Sequence, residues 1–353
     1  MAHCSKKLLL AASVATALSG FSAAASACSR IVWETEDHGV FVSRTMDWME
    51  ENQPTIDVRA KGQSYRGYDG DNALQWTAKY ASIGATLYGV GLVDGFNEVG
   101  FSANALYLDE EAPGEKQAGK QQIVNARFVA YLLDSFATVK EALAQIDSLQ
   151  IQQFTHNGMA MRGHYSLQDA SGDSAVLEYI DGEWKIYHGK QYSVMTNSPT
   201  FAEHLANWEA AKPQSQAEVN GTFAVPGNIN SAQRYVWNRY MFEQLEQPSS
   251  YTNGLAKLDS VTYKIPLDAA NRELGGVMTG YATLYGVVYN LDQQVLNLRY
   301  QFGDTFTHFS VDLKRLNDGH NYSIPADRPD LFGDITERME KRDGVMAQFR
   351  IEG

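Results

Sequence analysis

Cys28 stands directly behind a processing signal, and that position limits what the chain can become. Lys6 and Lys7 precede an apolar run from Leu8 to Leu18 and a small-residue stretch ending Ala25-Ser26-Ala27, immediately before Cys28. That order is the layout of a secretory signal peptide with its A-x-A cleavage site. The apolar run is shorter than the ~20 residues a membrane-spanning helix needs. Residues 1–27 are therefore expected to leave as a signal peptide, and residues 28–353 to fold as one exported, periplasmic domain with no membrane insertion. The chain has two cysteines, and Cys4 departs with the leader. One unpaired cysteine in an oxidising compartment builds no disulfide framework and points to intermolecular pairing or a reactive thiol.

Charge narrows the partners. The net charge is −13, and loss of Lys6 and Lys7 without any acid makes it more negative by two. An acidic protein of this kind is not expected to bind nucleic acid, heparin or an anionic membrane. No repeat, low-complexity tract or linker divides residues 28–353, and the Pro- and Gln-containing stretch 212–219 reads as a surface loop.

Strands dominate the pattern. Runs 29–35 and 40–45, rich in branched and aromatic residues, flank Glu36-Asp37-His38-Gly39 and predict a hairpin. A loop centred between Asp37 and His38 sets Cys28 opposite Asp47 and Ile31 opposite Arg44, with a slip of one or two residues left open. Cys28, Arg44 and Asp47 then converge at the open end. Further strands are expected at 82–87, 89–94, 101–108, 164–168, 175–180, 184–188 and 193–196, and as a meander over 283–290, 295–301 and 307–313. Helices are expected over 125–136, from a capping box at Thr138 and Glu141 to about 149, and from Ser231 as N-cap to about 245, and the charge-rich 334–348 is expected as a terminal helix or a loosely held tail. Helices that come in groups between runs of strands favour α+β over a doubly wound sheet.

A cysteine freed as an N-terminus carries nucleophile and base on one residue. The unperturbed α-amine titrates at about 7.7–8.0 and the thiol at about 8.5, so modest tuning yields a usable base. Such general-base help typically contributes about 10²–10⁴-fold. Thiol attack on an amide carbonyl gives an acyl-enzyme that water then releases. Arg44 shares a strand face with Val40 and Val42, so it is expected to point inward, with Asp47 the nearest acid for its charge. A positive charge there is expected to lower the thiol's pKa, and a carboxylate beside the amine to orient it. Taken alone, Arg44 and Asp47 equally fit an ion pair that braces the hairpin.

At these residues the chain resembles the choloylglycine hydrolase family of N-terminal-nucleophile hydrolases, which holds penicillin V acylases and bile salt hydrolases. The opening C-S-R-I-V-W…S-R-T-M-D-W is similar to the family's start, with Cys28, Arg44 and Asp47 at its catalytic spacing. Similarity continues at Asn97-Glu98-Val99-Gly100-Phe101-Ser102-Ala103-Asn104, at Val194-Met195-Thr196-Asn197-Ser198-Pro199-Thr200-Phe201, and from Pro226-Gly227-Asn228 to Arg234. The resemblance implies a four-layer αββα sandwich and cleavage of linear amides without a cofactor. It implies that the Asn197 side chain helps hold the oxyanion, that the backbone N–H of Tyr107 is the second donor, and that Arg234 is a second active-site arginine. Read on its own, Asn197 is a turn residue before Ser-Pro and Arg234 a solvated helix charge.

Tyr107 is the informative departure. Bile salt hydrolases carry Asn at the matching place and penicillin V acylases an aromatic, and Trp48 follows Asp47 directly. Together these imply a flat apolar acyl site for phenoxyacetyl or a fatty acyl chain, nearer the exported Gram-negative acylases, some of which accept long-chain N-acyl-homoserine lactones. Each aromatic alone also fits plain core. A bile salt hydrolase is the rival within the family, disfavoured by Tyr107 and by a shorter segment between Asn197 and Arg234. A lipoprotein with Cys28 lipidated is the rival of another class, disfavoured by Ala25 three residues before the cysteine. The family's habit also implies a homotetramer.

Other signals carry little. The histidines at 38, 156, 164, 188, 204, 308 and 320 show no ligand spacing, so no zinc site is expected. Gly89-Val90-Gly91 followed by Gly95 has the wrong spacing for a dinucleotide fingerprint, and no G-x-S-x-G motif occurs.

Overall fold

A computed structural model describes residues 28–226, 230–266, 273–274, 277–278 and 281–343. The expected signal peptide lies outside the described residues, as do Gly227 and Asn228 of the similar segment.

The chain enters through a hairpin of β1 (Ser29–Glu34) and β2 (Val40–Asp47). Every position of β2 is buried, including Arg44 and Asp47, so the strand is covered on both faces. Val194–Thr196 pairs with β1, and Thr283–Asn290 pairs with β2. The sheet then continues through Val295–Phe302 and Thr305–Asp312, with Phe332–Asp334 added in parallel at the edge. A second, antiparallel sheet of nine strands runs from Glu183–His188 through Ser174–Ile180, His164–Asp169, Phe101–Leu106, Gly91–Asn97, Ser82–Leu87, Thr55–Arg59 and Asn321–Pro325 to Glu340–Arg342.

The two sheets stack face to face. Phe96 meets Tyr289 with ring centroids 5.0 Å apart, and the Tyr285 hydroxyl donates to Asp94 at 2.8 Å. Helices α1 (Asn125–Ser135) and α2 (Val139–Ile146) cover the second sheet, where Phe128, Leu132 and Ile146 join Phe101, Tyr165 and Leu167 in one buried cluster. Among α3 (Phe201–Ala211), α4 (Ser231–Glu243) and α5 (Tyr251–Val261), α4 packs on β1, α5 on β2 and α3 on α4. Each fully buried Leu, Ile or Phe contributes roughly 1.5–3 kcal/mol. The order is αββα, the α+β sandwich that the sequence led us to expect.

Four details differ from expectation. The hairpin pairs Ser29 with Thr45, Arg30 with Arg44 and Ile31 with Ser43, one residue away from the expected register. The turn closes over the residues between Glu34 and Val40, where Thr35 N–H and its hydroxyl both donate to Gly39 O and Gly39 adopts φ +73°. An odd number of loop residues moves the register by one. Asn230, not Ser231, caps α4 by accepting from Ala232 and Gln233 N–H. The helix starting after Thr138 stops at Ile146 because Leu149–Gln152 pairs in parallel with Gln121–Val124. The charged stretch 334–348, expected as a terminal helix or a loosely held tail, instead gives edge strands Phe332–Asp334 and Glu340–Arg342 around a short 3₁₀ turn, Thr336–Arg338, and residues 344–348 of it lie outside the described residues. Its acids Asp334 and Glu337 bind Arg315 across the fold, a contact that local pattern does not contain.

Candidate active site

The corrected register decides which side chains meet. Residues directly opposite across an antiparallel pair share a face, so Arg30 and Arg44 lie on one side of the hairpin, with Cys28 and Met46 next along it. Ser29, Thr45 and Asp47 lie on the other. Cys28 Sγ is 4.0 Å from Arg44 Nη2, 3.9 Å from Met46 Sδ and 3.7 Å from the backbone oxygen of Asp47. Cys28 is 2 % exposed, so its sulfur sits in the core rather than on the surface.

Arg44 does not pair with Asp47. Its Nε lies 3.6 Å from Asp94 Oδ2, its Nη2 donates to Ala105 O at 3.3 Å, and its guanidinium covers the Tyr285 ring at 5.1 Å. The acid that balances Arg44 comes from the opposing sheet. Arg44 pulls the thiol's pKa down, as expected, but burial acts more strongly and leaves it raised. The resting thiol is therefore protonated and needs a base, which corrects the sequence expectation of a lowered pKa.

Asp47 answers to Arg234 instead. Arg234 Nη1 is 3.9 Å from Asp47 Oδ2, and it donates to Cys28 O at 2.6 Å and to Ser29 Oγ at 3.0 Å. Burial pushes the Asp47 carboxyl up to about 7, against the pull of Arg234 and of the Thr283 and Thr45 hydroxyls. Helix α4 is what brings Arg234 here, because its buried face packs on β1.

Asn197 closes the third side. Its Oδ1 accepts from the backbone nitrogen of Cys28 and from Arg234 Nη2 at 3.4 Å, and its Nδ2 donates to Tyr107 O at 2.9 Å. His204 on α3 donates from Nε2 to Asn197 O at 2.6 Å, and burial lowers that imidazole's pKa to about 4, so it is neutral. One N–H of Asn197 Nδ2 remains beyond the bond to Tyr107.

A groove borders Cys28 and holds about 760 Å³ of space, open solvent included. Arg44, Met46, Trp48, Leu106 and Tyr107 line it beside the cysteine. Trp48 and Tyr107 lie 5.9 Å apart between ring centroids, and Trp48 Nε1 donates to the Tyr88 hydroxyl at 2.8 Å. The six other residues singled out from the sequence thus surround Cys28 or its groove. Two neighbours escaped that reading. Asp94 is one, because nothing local marks a partner on another sheet. Arg30 is the other: it is fully buried and held by Tyr192 O at 3.3 Å and Ser174 Oγ at 3.2 Å, and burial lowers its pKa to about 9. Alternation along β1 from Cys28 would have placed it on the thiol's face. Among the described residues no group of three or more His, Cys, Asp or Glu side chains could hold a metal ion.

Residues 28–317 match the choloylglycine hydrolase family of linear amide C–N hydrolases. The chain belongs to this family. A penicillin V acylase of Pectobacterium atrosepticum is 34% identical over 256 residues, which cover 67% of this chain and 65% of that relative. A bile salt hydrolase/transferase of Clostridium perfringens is 28% identical over 189 residues, covering 51% of this chain and 56% of that one. The alignments thus span less than two thirds of either relative's length. The solved penicillin V acylase of Agrobacterium tumefaciens superposes with a TM-score of 0.79 at 28% identity, over 92% of this chain and 99% of that one. For a choloylglycine hydrolase family member, the sandwich and the buried cysteine at the head of the matched region are as expected.

Proposed function

We propose that the protein is an exported cysteine amidohydrolase that cleaves linear N-acyl amides, with an acyl group of the phenoxyacetyl or long-chain type. The observation that carries this reading is the double engagement of Cys28: it borders an apolar groove while its nitrogen is held by Asn197. Cleavage after Ala27 turns that nitrogen into an α-amine. The amine takes the thiol proton, and the sulfur attacks the amide carbonyl carbon. Asn197 Nδ2 and the Tyr107 N–H hold the resulting oxyanion. The ammonium then protonates the leaving amine as the C–N bond breaks, and water hydrolyses the thioester with the amine again as base. Asp47 and Arg234 fix the amine's position through Cys28 O and Asn197.

Trp48 and Tyr107 support a flat, apolar acyl group such as that of penicillin V, with long-chain acyl-homoserine lactones as the second substrate class. A lipidated Cys28 is disfavoured by Ala25, three residues before the cysteine. Export and a periplasmic location rest on the pattern of residues 1–27.

Primary-amine release by purified protein, with penicillin V, a long-chain acyl-homoserine lactone and glycocholate in parallel, tests the reading. Release from either of the first two is expected. Release from glycocholate alone would make the protein a bile salt hydrolase. A folded protein with a free N-terminal Cys28 that releases amine from none of them would sink the proposal.

A further inference from the structure

Asn197 lies one residue past strand Val194–Thr196, whose ladder to β1 stops with Thr196 opposite Ser29. Its own peptide is therefore held by something other than strand pairing. The chain turns through Ser198, Pro199 and Thr200 into α3, and the first turn of that helix folds back over its own approach. There the fully buried His204 meets Asn197 O with Nε2 at 2.6 Å. The same nitrogen lies 3.3 Å from Thr196 Oγ1, which donates onward to Ser231 O at 3.1 Å. The imidazole stacks on Tyr235, with centroids 4.8 Å apart and planes 17° from parallel. Tyr235 follows Arg234 on α4, and Arg234 Nη2 donates to Asn197 Oδ1 at 3.4 Å. Asn197 is thus held at its carbonyl from α3 and at its side chain from α4, and the two stacked rings join one helix to the other.

The acceptor settles the tautomer. A carbonyl oxygen only accepts, so Nε2 carries the proton and Nδ1 is bare. The other tautomer would set two acceptors 2.6 Å apart and leave a buried N–H on Nδ1, where no partner stands among the described residues. Burial holds the imidazole at about 4, so it stays neutral where a thiol and an amine work. An oxyanion donor is effective only where its N–H is aimed, and catalytic groups have to be held to within about 0.5 Å. The Asn197 side chain is fixed at Oδ1 by Cys28 N and Arg234 and at Nδ2 by Tyr107 O. What remains to be fixed is the peptide from which that side chain springs, and His204 binds it.

We propose that His204 is a positioning residue: its Nε2–H holds the Asn197 peptide so that the remaining N–H of Nδ2 points at the developing oxyanion. The role rests on the amidase reading for the reaction it serves.

One test needs no variant to fold. Nitrogen NMR of the parent protein with labelled histidine should show His204 as the Nε2–H tautomer at pH 7; an Nδ1–H tautomer would overturn the role. Kinetics supply the other. His204→Phe keeps a ring to stack on Tyr235 and removes the N–H. Its kcat for amine release should fall about 10- to 100-fold, the scale of a misplaced catalytic group, with KM within about twofold. His204→Gln, whose amide reaches the same carbonyl, should recover most of that loss. In an Asn197→Ala background, His204→Phe should change kcat by less than about twofold, because the group it serves is already gone. Should His204→Phe fail to fold, His204→Asn, whose amide is one methylene shorter, takes its place beside His204→Gln. A loss that multiplies undiminished in the Asn197→Ala background would make His204 a structural residue and overturn the role. A parent that releases no amine removes the amidase reading and this role with it. A parent that turns over with the same kcat as His204→Phe overturns the positioning role alone.

Discussion

Arg44 and Asp47 lie three residues apart on one strand, yet they point to opposite faces and answer to different partners. Arg44 meets Asp94 of the opposing sheet at 3.6 Å, and Asp47 meets Arg234 of the outer helix layer at 3.9 Å. The hairpin therefore divides the site in two. One side holds the thiol, Arg44 and the groove. The other holds Asp47, Arg234 and the contacts of the Cys28 backbone.

Removing the acid from the thiol's side should cost stability before it costs chemistry. Asp94→Asn leaves the fully buried Arg44 without its carboxylate, and breaking a buried pair typically costs about 3–5 kcal/mol. Urea denaturation of the variant should show a loss of that order. A loss below about 0.5 kcal/mol would mean that the ring of Tyr285 and the carbonyl of Ala105 suffice to hold the guanidinium.

The other side should govern rate. With Asn197→Ala the oxyanion loses a donor, and one such donor typically lowers the barrier by about 2.7–4 kcal/mol. We expect kcat to fall about 10²–10³-fold with KM moved far less. A variant whose KM rises while kcat holds would make Asn197 a binding residue only.

A free amine is required if the Cys28 nitrogen is the base. Adding one residue before Cys28 converts the amine to an amide, and general-base help is worth about 10²–10⁴-fold. Amine release should drop by about that range, with an unchanged melting temperature. Full activity in the extended form, with its extra residue verified by intact mass, would show that the proton goes elsewhere.

Glu111 predicts a pH effect on folding. Burial raises its carboxyl to about 8 from 4.5, so between those values the folded chain keeps a proton that the unfolded chain gives up. Its stabilising contribution is therefore complete below about 4.5 and is lost as pH rises through about 8. Glu111→Gln has no such proton to lose. Denaturation at stepped pH should show the variant gaining on the parent from about pH 5 to pH 8.5; a constant gap would place Glu111 in a more polar setting than we describe.

Much of this was legible in the sequence, for physical reasons. Alternation along β2 turned Arg44 inward, and the strand does bury it. The aromatic pair Trp48 and Tyr107 lines the groove beside the cysteine as expected. What failed was what local pattern does not encode. The turn closed by Thr35 and Gly39 set the hairpin one residue away, within the slip left open, while Arg44 found its acid some fifty positions away, on a strand brought near only by sheet stacking. Helix α3 carried a readable signal, Thr200 with Glu203, which form a capping box, and α5 begins behind Ser250, whose side chain accepts from Asn253 N–H. Both were missed because their apolar faces are thin, with three and two buried residues respectively. Glu111 gave no signal at all, since an acid becomes unusual only once its burial is known.

The most direct test is primary-amine release from penicillin V by protein that begins at Cys28, run beside its Cys28→Ser variant at matched fold and concentration. The account predicts steady release by the parent and a loss of about 10³-fold or more in the variant, because the serine hydroxyl ionises far less readily than the thiol. Near-parent release by Cys28→Ser would contradict the account at its centre, since the groove and its polar surroundings would then act without the sulfur they enclose.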